Sequence, residues 1–355
     1  MKYINAEEIG VLGKGFPDAI GYRRLNEEDL ATMTRLYPSY PGLPDSEAFP
    51  KVGRNSSGLH IDFRTDSRII AVRWSVEYCD HPGNMDFVNQ SGLDMYILLD
   101  GKYRYINSAI PTPGKKEGHE ATLVNKDFGK VPQGKNVYTL ELCTYDECTK
   151  LEIGIDDDAE IEAVPCSNTG YIAVYGTSIT QGGCASRPGV MYTNLIRRAL
   201  GEEIVNLGFS GAGILQHEMT EILCRLDPKV MIMDCVANMS LQDDEDYKDR
   251  WNYFYKRFRE THPNVPLLII EKPNYAYEWT YQEGVYPQNR LLRELAEEWQ
   301  DKNLYYIKGD NLYGDDYEGS VDGVHTTDLG FYRMTQIIQP VLEEILAKKP
   351  GFPKN

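Results

Sequence analysis

The stretch YIAVYGTSITQGG, from Tyr171 to Gly183, decides the fold. A short run of β-branched and aromatic residues ends in a sharp glycine-flanked turn with helix-forming sequence beyond it, as a buried strand feeding a crossover helix requires. The unit recurs downstream. Its own helix is expected around Tyr192 to Leu200. EIVNLGFS leads into a helix around Leu215 to Leu226, VMIMDCVAN into a long amphipathic helix near Asp246 to Thr261, PLLIIEKP into a helix near Gln288 to Gln300, and LYYIKGD into a last helix from about Leu329 to Ala347. Strands alternating with helices in this way predict an α/β fold built on a five-stranded, parallel, doubly wound sheet. In the last helix Met334, Ile338, Val341, Leu342 and Ile345 recur at helical spacing and make a core-facing stripe.

Upstream the pattern changes. From Leu59 to Val164 short alternating runs (LHIDF, IIAVRWSVEY, LDMYILLDGKYRYI, YTLELCTY, KLEIGI) are separated by Gly, Pro, Asn and Asp, which predicts an antiparallel β-sandwich, with DGK at Asp100 to Lys102 as a tight hairpin turn. Gly10 to Gly58 is rich in Pro, Gly and Tyr with little periodicity and reads as an irregular strap wrapping another part. PCSNTG before Tyr171 has linker chemistry, so the boundary is placed near residue 168: strap and sandwich over 1–168, the α/β domain over 169–355. A chain of 355 residues is long enough for two cores.

Composition excludes several partners. With 37 basic against 54 acidic residues the net charge is -17, which repels phosphate backbones and anionic lipid, so neither nucleic acid nor a membrane surface is an expected partner. No apolar run reaches the length of a membrane span. MKYINAEEIG lacks the pattern of a secretory leader, and seven scattered cysteines form neither a zinc pattern nor a disulfide framework, so a cytoplasmic location and no metal or other cofactor are expected.

In an open parallel sheet, ligands bind beyond the carboxyl ends of the strands. The first strand ends at Ser178, in a turn that fits neither the phosphate-binding GxxxxGK[ST] pattern nor GxSxG, because Gly182 and Thr180 stand where those motifs need other residues. A serine there can cap a helix. It can also act as a nucleophile, provided an imidazole takes its proton and a carboxylate orients that imidazole. Asp322 and His325 lie three residues apart just before the final helix, where the fold should return them to the edge that carries Ser178. Of the other histidines, His217, near the second crossover, is the rival. An oxyanion needs donors, and the next two strand ends offer the amide of Gly211 and the side chain of Asn238.

GTSITQG, NLGFSGAG, the asparagine of DCVANM and DGVH together resemble the four motif blocks of the SGNH, or GDSL-like, hydrolase superfamily, across essentially the whole C-terminal domain. The resemblance implies a flavodoxin-like sheet. It also implies Ser178 as nucleophile, the Ser178 amide with Gly211 and Asn238 as the oxyanion hole, His325 as base and Asp322 as its orienting acid. Thr177 stands where the GDS signature has Asp, and Val236 with Ala237 replaces the usual residues before the third-block Asn. GLDMY at Gly92 to Tyr96 is similar to the GxDLY signature of a β-domain that precedes such hydrolases in a carbohydrate-esterase-like bacterial subgroup. The expected substrate is then a short acyl ester, acetyl foremost, on a small molecule or oligosaccharide. Arg187 and the aromatics Tyr275, Tyr277, Trp279 and Tyr281 are expected near it. General short-chain, lipid or thioester hydrolysis and non-catalytic sugar binding are the competing readings.

Overall fold

The structure, a computed structural model, describes residues 1–39, 49–79, 83–165, 169–241, 243–276 and 287–348. The N-terminal half forms two antiparallel sheets. One has the order β1-β8-β3-β6, with β1 (Lys2–Asn5), β3 (Ile69–Val76), β6 (His119–Asn125) and β8 (Cys148–Ile155). The other runs β5-β4-β7-β2-β9, with β2 (His60–Thr65), β4 (Leu93–Leu99), β5 (Lys102–Ala109), β7 (Asn136–Glu141) and β9 (Ile161–Ala163). Alternate residues of both sheets, among them Val72, Trp74, Leu151 and Ile153 from one and Ile61, Phe63, Met95 and Leu140 from the other, close on a single core, so the expected sandwich is present.

In the C-terminal half β10 (Ile172–Gly176), β11 (Ile204–Gly208), β12 (Val230–Asp234), β13 (Leu267–Ile270) and β14 (Leu304–Ile307) form one parallel sheet in the order β11-β10-β12-β13-β14. The first four strands are buried along their whole length, as a sheet covered on both faces demands. Residues of one parity, such as Tyr175, Leu207 and Met233, face the helices 217–223, 244–261 and 288–299; those of the other, such as Val174 and Ile232, face the helices 192–200 and 328–348. Gly176 pairs in register with Gly208 and with Asp234, so three strands end level and release their turns at one edge. Among the described residues no helix is long and apolar enough to cross a membrane.

The strap does more than wrap. Phe16, Leu25, Leu30, Met33, Tyr37 and Val52 belong to the α/β core, beside Leu207, Phe209 and Met219. Arg24 enters with them and is fully buried. Among the described residues it has no carboxylate partner. Its guanidinium instead donates to the carbonyls of Asn55 (2.8 Å), Val52 (2.6 Å) and Gly208 (2.6 Å) and lies 4.6 Å from the centre of the Phe209 ring. Five planar donors allow one arginine to close several carbonyl ends at once. Glu141 on β7, also fully buried, accepts from Arg197 (2.7 Å) and Arg198 (2.6 Å) of the helix 192–200. Strap, sandwich and α/β sheet therefore share buried polar contacts.

Candidate active site

Ser178 is the first residue of a four-residue helix, Ser178–Gln181, at the end of β10. So short a helix makes almost no internal bonds, and its end groups must be met from outside. Thr177 caps it: its side chain accepts from the Ile179 amide (3.3 Å) while Thr180 Oγ1 accepts from the Thr177 amide (3.1 Å), a reciprocal capping box. The carboxylate absent at position 177 is found on β12 instead. Asp234 accepts from the hydroxyls of Thr180 and Tyr192, both at 2.8 Å, and burial raises its carboxyl to about 6 against those bonds. The carbonyls are met by side chains. Tyr145 donates to Ser178 (3.0 Å), Asn206 to Thr180 (2.6 Å), Ser57 to Gln181 (2.7 Å) and Asn89 to Gly182 (2.8 Å). Of these donors only Asn206 belongs to the α/β half, and sequence reasoning assigned none of them.

The structure brings Ser178, His325 and Asp322 together. Ser178 Oγ lies 3.1 Å from His325 Nε2, and His325 Nδ1 lies 2.7 Å from Asp322 Oδ2. The other oxygen, Asp322 Oδ1, accepts from the backbone amides of Val324 (3.0 Å) and His325 (2.7 Å), which curls the loop on itself. A fourth donor comes from outside the loop: Asn84, just before the helix 87–91 of the antiparallel half, reaches Asp322 Oδ2 at 2.9 Å. Partial burial pushes the Asp322 carboxyl up, but the His325 amide, the His325 ring and Asn84 more than reverse this and hold it down at about 2. Cys184 also borders the pair. It forms with Asp322 and His325 the one His/Cys/Asp/Glu group among the described residues close enough to hold a cation, but two of its members are already committed to each other.

The candidate oxyanion donors sit on the neighbouring turns. Gly211 has φ +67°, the left-handed region that suits glycine, and its carbonyl accepts from Tyr37 of the strap (2.8 Å). Gln181 ties this turn to the nucleophile helix: its Oε1 accepts from the Ser210 amide (2.8 Å), and its Nε2 donates to Asn55 (2.9 Å) and Thr144 (3.0 Å). Asn238 Oδ1 accepts from the Gly213 amide (3.2 Å), which makes Nδ2 the donor end of that side chain.

Three other expected residues are engaged with partners of their own. His217 stacks on Tyr253 with ring centres 4.0 Å apart and places Nε2 2.9 Å from Asp249, so it is not the imidazole at Ser178. Arg187 spends its guanidinium on Asp94 (2.8 Å) and Tyr96 (2.5 Å) and stacks over Tyr105. Tyr275 is 6 % exposed within the α/β core and offers no open face for a sugar ring, because the chain turns it inward. Trp279, with Tyr277 and Tyr281, lies outside the described residues. Beside Asp322 a cleft of about 680 Å³ opens between residues 83–87 and 321–329, where Asn84, Asp86, Ser186, Thr327 and Asp328 alternate with Met85, Phe87 and Val321.

A doubly wound sheet with a serine, an imidazole and a carboxylate in hydrogen-bonded series at its carboxyl edge is the architecture of an acyl-cleaving hydrolase. Residues 169–343 match the GDSL-like lipase/acylhydrolase family, and residues 1–161 match the GxDLY domain, the N-terminus of SGNH-hydrolase-type esterases. A protein of Bacteroides ovatus classed as a GDSL-like lipase is 33 % identical, with 98 % of each chain covered and a TM-score of 0.86. The chain belongs to the GDSL-like lipase/acylhydrolase family. Two more distant structures share the fold. A salicylyl-acyltransferase from a tetracycline biosynthetic pathway is 18 % identical (92 % of this chain and 90 % of that one covered, TM-score 0.72). A family two carbohydrate esterase from Clostridium thermocellum, solved with cellohexaose, is 10 % identical (82 % and 95 % covered, TM-score 0.58). No curated protein matches the chain.

Proposed function

We propose that the protein is a serine esterase that removes short acyl groups, acetyl foremost, from carbohydrates. The observation that carries this reading is the unbroken series from Ser178 Oγ through His325 to Asp322. His325 Nε2 takes the hydroxyl proton as Ser178 Oγ attacks the ester carbonyl, and Asp322 holds the ring in the tautomer that can accept it. The developing oxyanion is received by the amides of Ser178 and Gly211 and by Asn238 Nδ2. His325 then returns the proton to the departing sugar hydroxyl, and water repeats the sequence on the acyl-enzyme. No metal or other cofactor takes part. The sugar part of the reading is supported by the fold shared with a carbohydrate esterase and by the cleft beside Asp322, whose hydroxyl, amide and carboxylate groups suit a polyhydroxy ligand. Among the described residues six cysteines are free, which suits a reducing, cytoplasmic setting.

The test is mass-spectrometric loss of acetyl from a panel of acetylated oligosaccharides, with para-nitrophenyl esters of increasing chain length alongside and Ser178→Ala as control. Acetyl release that disappears in the variant is expected. Release only from long-chain or thioester substrates would overturn the sugar reading, and activity of Ser178→Ala within about tenfold of wild type would overturn the nucleophile. The likeness to an acyltransferase supports a second reading, in which an alcohol other than water accepts the acyl group. Acyl transfer to added alcohols in the same assay separates the two.

A further inference from the structure

We propose that Asn84, supplied by the antiparallel domain, is a positioning residue of the catalytic site, holding Asp322 at the oxygen that binds the His325 ring; the inference rests on the esterase reading above. A carboxylate offers about four acceptor positions. Here all are used: Oδ1 takes the amides of Val324 and His325, and Oδ2 takes His325 Nδ1 at 2.7 Å and Asn84 Nδ2 at 2.9 Å. The first three donors move with the 322–325 loop. Asn84 does not, so among the four it alone fixes the carboxylate relative to the rest of the molecule. The bond matters because the Asp322 side chain keeps 32 % of its surface open and so is not held by burial alone.

Asn84 is itself well placed to serve as a gauge. Two residues on, Asp86 caps the helix 87–91, and Asn89 of that helix donates to the carbonyl of Gly182 at the end of the nucleophile helix (2.8 Å). One short element therefore holds both the loop that carries His325 and the turn that carries Ser178, whose reacting atoms are 3.1 Å apart. The titratable groups facing the pair are Cys184, whose thiol burial and Asp322 push up to about 12, and Tyr313, whose hydroxyl burial pushes well above its ordinary value, so both stay neutral through the working range; Asp86 and Asp328 border the adjoining cleft.

Two variants test the proposal. Asn84→Ala removes the donor, and Asn84→Asp keeps the shape while placing a second negative charge against Asp322. With thermal unfolding unchanged, kcat should fall about tenfold in Asn84→Ala and further in Asn84→Asp, with KM held within about twofold. Each change leaves more uncompensated negative charge facing the imidazole, so the acidic limb of the rate should move to higher pH in the order wild type, Asn84→Ala, Asn84→Asp. Labelling of Ser178 by a fluorophosphonate at each pH reads the same limb without the natural substrate, and an NMR titration of the His325 ring reads it without turnover. Superposed limbs and titrations in all three proteins would overturn the role of Asn84. Should Ser178→Ala remain active, the reading of Ser178 as the nucleophile fails instead, and the ring titration still decides whether Asn84 acts on the pair.

Discussion

Chemistry at the site was legible residue by residue because its demands are narrow. A serine at a strand end needs a base and an orienting acid, and Asp322 and His325 stand in the one loop that the fold returns to it. Placing His217 needed coordinates, because only the ring contacts with Tyr253 and Asp249 show that it faces elsewhere. Asn84 and Asp234 were not legible, since a loop asparagine and a strand-end aspartate have many ordinary uses. Asn238→Ala should lower kcat by roughly a hundred- to a thousandfold with KM little changed, as expected of a donor used chiefly in the transition state; an effect confined to KM would make it a substrate contact. Asp234 should show itself in stability. The unfolded chain loses this proton near the ordinary aspartate value of about 3.9 and the folded chain near 6. Between those values the folded state holds more protons, so the group withdraws stability as pH rises through that window, by about 3 kcal/mol in all, and the penalty is constant above it. Urea unfolding of Asp234→Asn against wild type should therefore show a difference that changes from about pH 4 to 6 and then levels. A difference flat across that range would place the carboxyl at its ordinary value.

Elements differ in how openly their sequence declares them. The parallel strands could be read because burial on both faces leaves unbroken apolar runs, and the sandwich because one-sided burial leaves alternation. GLDMY was recognised by resemblance, and the structure supplies its physical content. Asp94 accepts from Arg187 and from the Gly189 amide (2.8 Å each), and Tyr96 packs on Gly189, so the motif clamps the segment between the nucleophile turn and the helix 192–200. The strap could not be assigned a partner, because irregular backbone has no period and a buried arginine reads like any surface cation. Arg24→Met should cost about 3 to 5 kcal/mol in urea unfolding, since buried carbonyls of Val52, Asn55 and Gly208 lose their donor at once. Arg24→Lys should recover only part of it, because an ammonium cannot span three acceptors as a guanidinium does. Full recovery with lysine would mean that charge alone matters there.

On the scale of the whole molecule, the boundary near residue 168 divides the sequence more cleanly than it divides the structure. Donors from the N-terminal half, Tyr145, Ser57 and Asn89, close three carbonyls around the nucleophile helix, and Glu141 anchors two arginines of the α/β half. Residues 169–355 expressed alone should therefore be unstable and inactive, and adding residues 1–161 as a separate chain should restore some fluorophosphonate labelling; a stable, reactive fragment would show that the halves fold and act apart. Arg24 meets Gly208 across 184 positions of sequence. During synthesis the strap thus leaves the ribosome well before β11 exists to receive it, and several apolar side chains and a guanidinium wait in water or on a chaperone. A contact so distant along the chain is expected to form late and slowly, so refolding from urea should show a lag in recovered activity behind recovered β-structure.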